Sequence, residues 1–443
     1  MFTSSLYSVL AILATGAHVV SAGQFAVDLG ALLTARIDPL VDPGNDRDIG
    51  HVHTVFGASN FRSQINTPDE MRAAKCTSAV TTADKSNYWV PTLFFKNPEG
   101  EYEAAYLQGA RAYYNVNPND KTEPFPDGLR MISGTGGNRA WTEKSIGVAF
   151  GTLEDRMGPY LPNNTNTKLG STPSNQFQYH IRFPSCGNGE LDSPDHFSHM
   201  AWQRDHNGPT AWGGGSCPES HPIRYPTLTL EVYWTIHHSA RERWRKGDDD
   251  ANLVLANGDE VGGSLHADFI MGWDRDIFSR AIKDEACLNA DSDITKCPVF
   301  DSTAVHDDSH KHCRYQGQIP SEELGYYKQL KSLPGKNAPW PRGLGDEKPD
   351  GSRSDYTKPG WTWPNVAWES AVAFPQWPLA VDFENAPSGA PTQDFLNQFT
   401  PILRDNFRPW HALTSNPAGT SEDVKGNRDY NSAPNKVQQV YGL

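Results

Sequence analysis

The chain has 443 residues, a formal net charge of -14 at pH 7 and 11% aromatic residues, 13 of them Trp. The acidic balance disfavours nucleic acid and anionic membranes as partners. The 38 Gly and 33 Pro point to a loop-rich β protein, and the length suits one large domain or two ordinary ones.

The amino terminus reads as a removable signal peptide over residues 1–22. Leu6 to Ala14 is a short apolar run, and Val20-Ser21-Ala22 offers the small residues that a signal peptidase reads. The run falls short of the roughly 20 residues needed to span a bilayer, and no later stretch comes closer. The protein is therefore expected to be secreted, extracellular and soluble. Cleavage at Ala17 would expose His18 as an amino-terminal copper ligand, whereas cleavage after Ala22 discards it.

The first chemistry-bearing motif is His51-Val52-His53. In a strand the two imidazoles point the same way, because side chains alternate faces with period two. Such a pair can bind a metal, move a proton or hold a substrate; alternatively each ring simply satisfies its own hydrogen bonds. Short β-like runs follow at Tyr88 to Phe95, Ile146 to Phe150, Gln178 to Phe183 and Thr227 to Ile236, each flanked by turn residues. Asn163-Asn164-Thr165 is an N-glycosylation acceptor.

A second cluster, Cys186 to His199, places Asp192, Asp195, His196 and His199 just after a strand. It suits metal ligation, or a carboxylate orienting a histidine base; an Asx-turn at Asp192 with surface histidines is the structural alternative. His221, between Ser220 and Pro222, reads as structural. Glu231 lies in the best strand and needs a partner if it faces inward. The third cluster runs from Gly258 to Asp274, where His266 and Asp268 share one face of an extended segment, as His51 and His53 do. Its glycines do not form a phosphate loop, since no Gly-Lys-Ser/Thr follows. Helical patterns are short, at Phe278 to Cys287 and Ser321 to Leu333.

Six cysteines (Cys76, Cys186, Cys217, Cys287, Cys297 and Cys313) are read as three disulfides, with 15 possible connectivities. A Cys186–Cys217 pair would close the loop carrying the second cluster. The expected fold is mainly β, a single large sandwich or jelly-roll-like domain over 23–333, with long loops, few short helices and disulfide staples. A Pro/Gly/Trp-rich extension over 334–415, holding Trp340, Trp361, Trp363, Trp368 and Trp377, is expected to lie on that domain, followed by a polar tail over 416–443.

Five ordered motifs resemble one known family. They are Asp38-Pro39 with Pro43-Gly44 and His51 to Gly57, Asp84 to Pro91, Phe125 to Met131, Leu191 to His196, and His266 to Asp274. The resemblance is to a secreted family, fungal and also bacterial, catalogued as a domain of unknown function, and it covers residues 36 to about 313. Members carry a second Cys shortly after the position of Cys76; Ala79 stands there in this chain, which implies a distant partner for Cys76. The family's association with carbohydrate-binding and wall-binding modules points toward polysaccharide.

The leading functional expectation is a secreted carbohydrate-active enzyme that hydrolyses glycosidic bonds of an extracellular or cell-wall polysaccharide. Its site is built from His51, His53, Asp192, Asp195, His196, His266 and Asp268, with Tyr88, Trp89, Arg130, Trp273 and Asp274 contacting substrate. A polysaccharide lyase with a His or Tyr base is the nearest alternative. A copper- or zinc-binding metalloprotein follows, with His51, His53, His196, His199 and His266 as candidate ligands and a divalent metal as cofactor. A noncatalytic glycan-binding protein is the fourth. The partner expected is polysaccharide, with no nucleic acid and no membrane, and the chain is expected to be a monomer. No Gly-X-Ser-X-Gly or His-Glu-X-X-His supports a protease. The three clusters are expected to converge in one cleft.

Overall fold

A computed structural model describes residues 23–45, 50–117, 121–136, 147–152, 161, 176–204, 215–236, 243–244, 252–307, 309–313, 315–317, 324–326 and 329–339. The signal peptide and His18, the Asn163 sequon, residues 341–443 and Trp340 lie outside them, and so does part of the helix expected at Ser321 to Leu333.

Two five-stranded antiparallel sheets form the frame. Sheet A is built from β1 (Gly23–Leu29), β7 (Tyr106–Val116), β14 (Thr227–Thr235), β10 (Gln176–Arg182) and β9 (Val148–Thr152), in that spatial order. Sheet B is built from β2 (Ala31–Ala35), β3 (His53–Gly57), β4 (Asn87–Pro91), β16 (His266–Ile270) and β8 (Arg130–Gly134). Two small sheets flank them. One joins β15 (Leu253–Leu255), β5 (Leu93–Lys96) and β6 (Tyr102–Ala104); the other joins β12 (Met200–Ala201), β11 (Cys186–Gly187) and β13 (Ile223–Arg224).

Alternation along the strands decides what each face carries. In sheet A, Phe25, Val27, Ala112, Tyr114, Leu228, Leu230, Tyr179 and Ile181 point inward. In sheet B, Phe56, Tyr88, Val90, Met131, Ala267 and Phe269 point back at them, and both sets join one buried cluster. A period of two with one apolar face is the signature of a sandwich layer. The mainly β fold, the sandwich form and the three disulfides expected from the sequence are all present.

The run Tyr88 to Phe95 is two strands, because the chain switches sheets after Pro91. The expected helix at Phe278 to Cys287 is two short helices, Arg275–Ala281 and Glu285–Leu288, the second capped by Asp284. Within Ser321 to Leu333 the described residues hold no helix: Gly325 takes a φ of 87°, and Leu330 bridges to Tyr102. No helix among the described residues is long and apolar enough to cross a membrane.

Sheet B also has an outer layer. Leu33, Val55, Trp89, Ile132 and Ile270 point away from sheet A and form a second, smaller core with Ile37, Leu40, Phe61 and Tyr315. The Cys76–Cys313 disulfide, closing a separation of 237 residues, ties this layer together. Cys186–Cys217 closes the loop of the second cluster, and Cys287–Cys297 closes a ten-residue step.

Candidate metal centre

The same outer face of sheet B carries the histidines. His53 opens β3 and His266 opens β16, and β4 lies between these strands. Two strand spacings put their backbones roughly 10 Å apart. The small ring of Pro91, opposite His53, lets the imidazoles lean together to a centroid distance of 5.8 Å. His51, just before β3, stands 4.3 Å from His53 and 5.1 Å from His266 by ring centroids. His51 Nε2 lies 3.2 Å from His266 Nε2. One ring nitrogen from each histidine falls within 4.8 Å of the others.

Backbone carbonyls fix two of the tautomers. His53 donates from Nδ1 to Ile37 O at 3.1 Å, and His266 donates from Nδ1 to Ser264 O at 2.8 Å. A carbonyl can only accept, so both Nε2 atoms keep their lone pairs for the centre. His53 Nε2 is buried and has no protein partner. The carbonyl of Ser264 is itself held: Asp259 accepts from the amides of Val261, Gly262 and Ser264 and from the Ser264 hydroxyl. The glycine-rich stretch is thus a carboxylate-centred turn that aims one carbonyl. Gly136 completes the fit, because a Cβ there would stand 2.9 Å from His266 Cε1.

The electrostatics keep the rings uncharged. Burial, then the neighbouring imidazoles His53 and His266, push His51 well below the ordinary histidine range. Burial and His266 lower His53 to about 3. Burial lowers His266 to about 4, against the opposing pull of the Ser264 carbonyl. Neutral imidazole is the form that ligates metal.

Two carboxyl groups complete the surroundings. Asp268 lies one rung into the sheet, opposite Trp89, with Oδ2 3.9 Å from His266 Nε2. Both of its oxygens are buried without a protein partner. Burial, then the charge of Asp38, raises its pKa well above the usual carboxylate range. Asp38 accepts from the amides of Leu40 and Val41 at 3.0 Å each, yet burial still raises it to about 6. In the sequence Asp38 stands only as part of a motif; the fold sets its charge against both Asp268 and His196.

The second cluster approaches this centre without entering it. The backbone carbonyl of His196 accepts from the Ile132 amide at 2.8 Å, which docks the loop on the edge of β8, and its ring faces the charge of Asp38. Asp192 is occupied in the loop, accepting from His196 Nδ1 at 2.7 Å and from the Ser193 amide. Asp195 likewise closes the turn, accepting from the Ser193 hydroxyl and the Phe197 and Ser198 amides. His199 is buried against Ser193. The two carboxylates hold the turn of the loop, while His199 Nε2 is buried and makes no hydrogen bond within it. His221 is structural too, bonding Ser198 O at 3.0 Å.

Of the expected substrate contacts, Tyr88 and Trp273 belong to the core. Tyr88 bonds Asp84 at 2.7 Å, Trp273 Nε1 donates to Tyr114 Oη at 2.8 Å, and both rings are fully buried. Trp89 is also fully buried, stacked edge-on against Phe61 as the floor beside Asp268. None presents a ring face to a sugar. Asp274 caps a helix by accepting from the Ile277 amide, and Arg130 bonds the Ile65 carbonyl.

Fold and site together define a disulfide-stapled β-sandwich with a three-imidazole centre on the outer face of one sheet. The chain belongs to the family described as a domain of unknown function (DUF1996), whose model matches residues 38–273 and so spans both His51-Val52-His53 and His266. No curated protein and no solved structure matches it.

Proposed function

We propose that this protein is a metal-dependent, secreted enzyme that hydrolyses glycosidic bonds of an extracellular polysaccharide, with His51, His53 and His266 as the metal ligands. The observation that carries the metal reading is the approach of three uncharged imidazoles with two Nε2 lone pairs fixed toward a common point. Tetrahedral zinc with Zn–N bonds of ~2.0–2.1 Å separates its nitrogens by about 3.3 Å, and His51 and His266 stand at 3.2 Å. An all-imidazole set suits zinc or copper, whereas magnesium and calcium want oxygen ligands. A bound cation of this kind supplies Lewis acidity to water or to a sugar oxygen. Asp268, whose carboxyl burial pushes above the usual range, sets two oxygens beside the centre that make no hydrogen bond within the protein.

The substrate class rests on the family's company and on the extracellular reading, which three disulfides and the absence of a free cysteine support. The test is product analysis of the purified protein and His266→Ala on a polysaccharide panel, with zinc, with copper and with chelator. Saturated products that vanish with chelator and with the substitution are expected. Oxidised ends with copper alone would replace hydrolysis by oxidative cleavage, and unsaturated ends would make it a lyase. Activity untouched by both chelator and substitution would overturn the metal reading.

A further inference from the structure

Two motif segments that the histidine centre leaves unused meet at the opposite end of sheet B. Asp84 to Ser86 leads into β4, and Gly272 to Asp274 follows β16, so this corner lies about 20 Å from His266 along the strand. Backbone hydrogen bonds knit these segments to each other and to a third: Asp274 N donates to Ala83 O at 2.8 Å, and Thr82 N donates to Thr303 O at 2.9 Å. Gly272 N donates to Ser86 Oγ at 3.0 Å, and a Cβ at Gly272 would stand 2.2 Å from Lys85 O, so only glycine lets the segments meet.

Between them lies a solvent-open cavity of about 260 Å³, with Thr82, Lys85, Asp274, Ile277 and Ser302 in its lining. Thr82, Asp274 and Ser302 are exposed and Lys85 is half-buried, so a ligand reaches them from solvent. Pockets for drug-sized ligands hold ~300–1,000 Å³, so this one suits a molecule of about one sugar ring. Lys85 sets the sign of the ligand. Its Nζ donates to Arg72 O at 2.8 Å and to Ala74 O at 2.6 Å. An ammonium has three N–H donors, so one remains for the cavity. Burial pulls the Lys85 pKa down, and no carboxylate among the described residues pulls it back. Arg72 adds no spare charge, because Asp69 and Asp127 hold its guanidinium. A half-buried ammonium without a counter-charge is stabilised by an anion. The remaining polar groups suit hydroxyls. Asp274 spends one oxygen on the Ile277 amide and keeps the other, and the Thr82 and Ser302 hydroxyls make no hydrogen bond with the described residues.

We propose that this cavity is a second site, separate from the histidine centre, that binds a small hydroxylated carboxylate of about one uronic acid unit. Lys85 takes its carboxylate, and Asp274, Thr82 and Ser302 take its hydroxyls. The site does not depend on the metal reading.

The test is a saturation-transfer NMR titration of the full chain, in chelator, with galacturonate, with galactose and with acetate. Galacturonate is expected to bind at least about tenfold more tightly than either control, and to weaken as salt is raised. Lys85→Gln keeps N–H donors but not the charge, and should bind about tenfold more weakly. Ser302→Trp fills the cavity from an exposed position and should abolish binding with an unchanged melting temperature, which keeps the test open should Lys85→Gln fold poorly. A trigalacturonate arm separates the two sources of this chemistry: tighter binding than the monomer marks a chain end, and weaker binding marks the free acid, with the site upheld in both cases. His266→Ala should bind as wild type does, so the failure of either reading is visible without the other. No binding of galacturonate, equal binding of galactose, or full affinity in Ser302→Trp would each overturn the proposal.

Discussion

The two outer faces of the sandwich handle buried polarity in opposite ways. On sheet A, Asp28, Arg111, Glu231 and His180 stand side by side in one row across four strands. Each carboxylate in the row has a partner: Asp28 holds Arg111, and Glu231 holds His180 and Tyr233. On sheet B the imidazoles are too weakly basic to protonate, and burial makes Asp38 and Asp268 hold their protons more tightly than free carboxyls. Pairing lets buried charge persist within the fold. Uncharged imidazoles keep the lone pairs that the proposed metal would use. The same alternation of strand residues yields both, and what differs is whether a counter-charge sits on the neighbouring strand.

Removing one carboxylate from each face is the strongest way to break this contrast. Asp28→Asn leaves the Arg111 guanidinium buried without its charge partner, and should cost about 3–5 kcal/mol in urea unfolding. Burial alone opposes the Arg111 charge, and Asp28 is what restores it. A loss below 1 kcal/mol would show that the row is held by something other than pairing.

Asp38→Asn should act in the opposite direction. The folded pKa of Asp38 is raised from 3.8 to about 6, so its contribution to stability is complete below pH 4 and is lost as pH rises through 6. The wild type gives up about 3 kcal/mol over that window, because the native state binds the extra proton. Asn cannot titrate, and its amide oxygen can still accept from Leu40 and Val41. The variant should therefore gain on the wild type between pH 4 and pH 7.5, measured as paired urea midpoints. A gain that is absent, or that grows toward acid pH, would show that the fold does not tighten the proton of Asp38.

The smallest expected effect sharpens the comparison. Gly136→Ala presses a methyl group against His266 and should weaken zinc binding about tenfold, read by calorimetry, while leaving sheet A untouched. An unchanged affinity would mean that the ring can yield, and that His266 is less fixed than its Ser264 hydrogen bond implies.

Much of the centre was legible in the chain. His51 with His53, and His266 with Asp268, share faces by period two, and both pairs lie where strands open. Their convergence was expected from residue chemistry alone; the pairing behind it was not legible, because β16 joins β4 across about 180 residues and no local pattern encodes that contact. The aromatic substrate contacts failed for a related reason. Tyr88 falls on the inward parity of β4, opposite Phe56 and Phe269, and residue type alone does not reveal parity. The sheet A row was harder still, since it takes one residue from each of four strands. Glu231 was noticed singly, while Arg111 and His180 gave no cluster to notice.

The Cys76–Cys313 bridge gives the molecule a property that its stability alone does not describe. A protease that cuts the backbone once, at any point between those two residues, releases nothing. The two pieces stay covalently joined, with His51 and His53 on one and the outer layer still clamped beneath them. The bridge makes a single backbone scission an internal injury instead of a loss of parts.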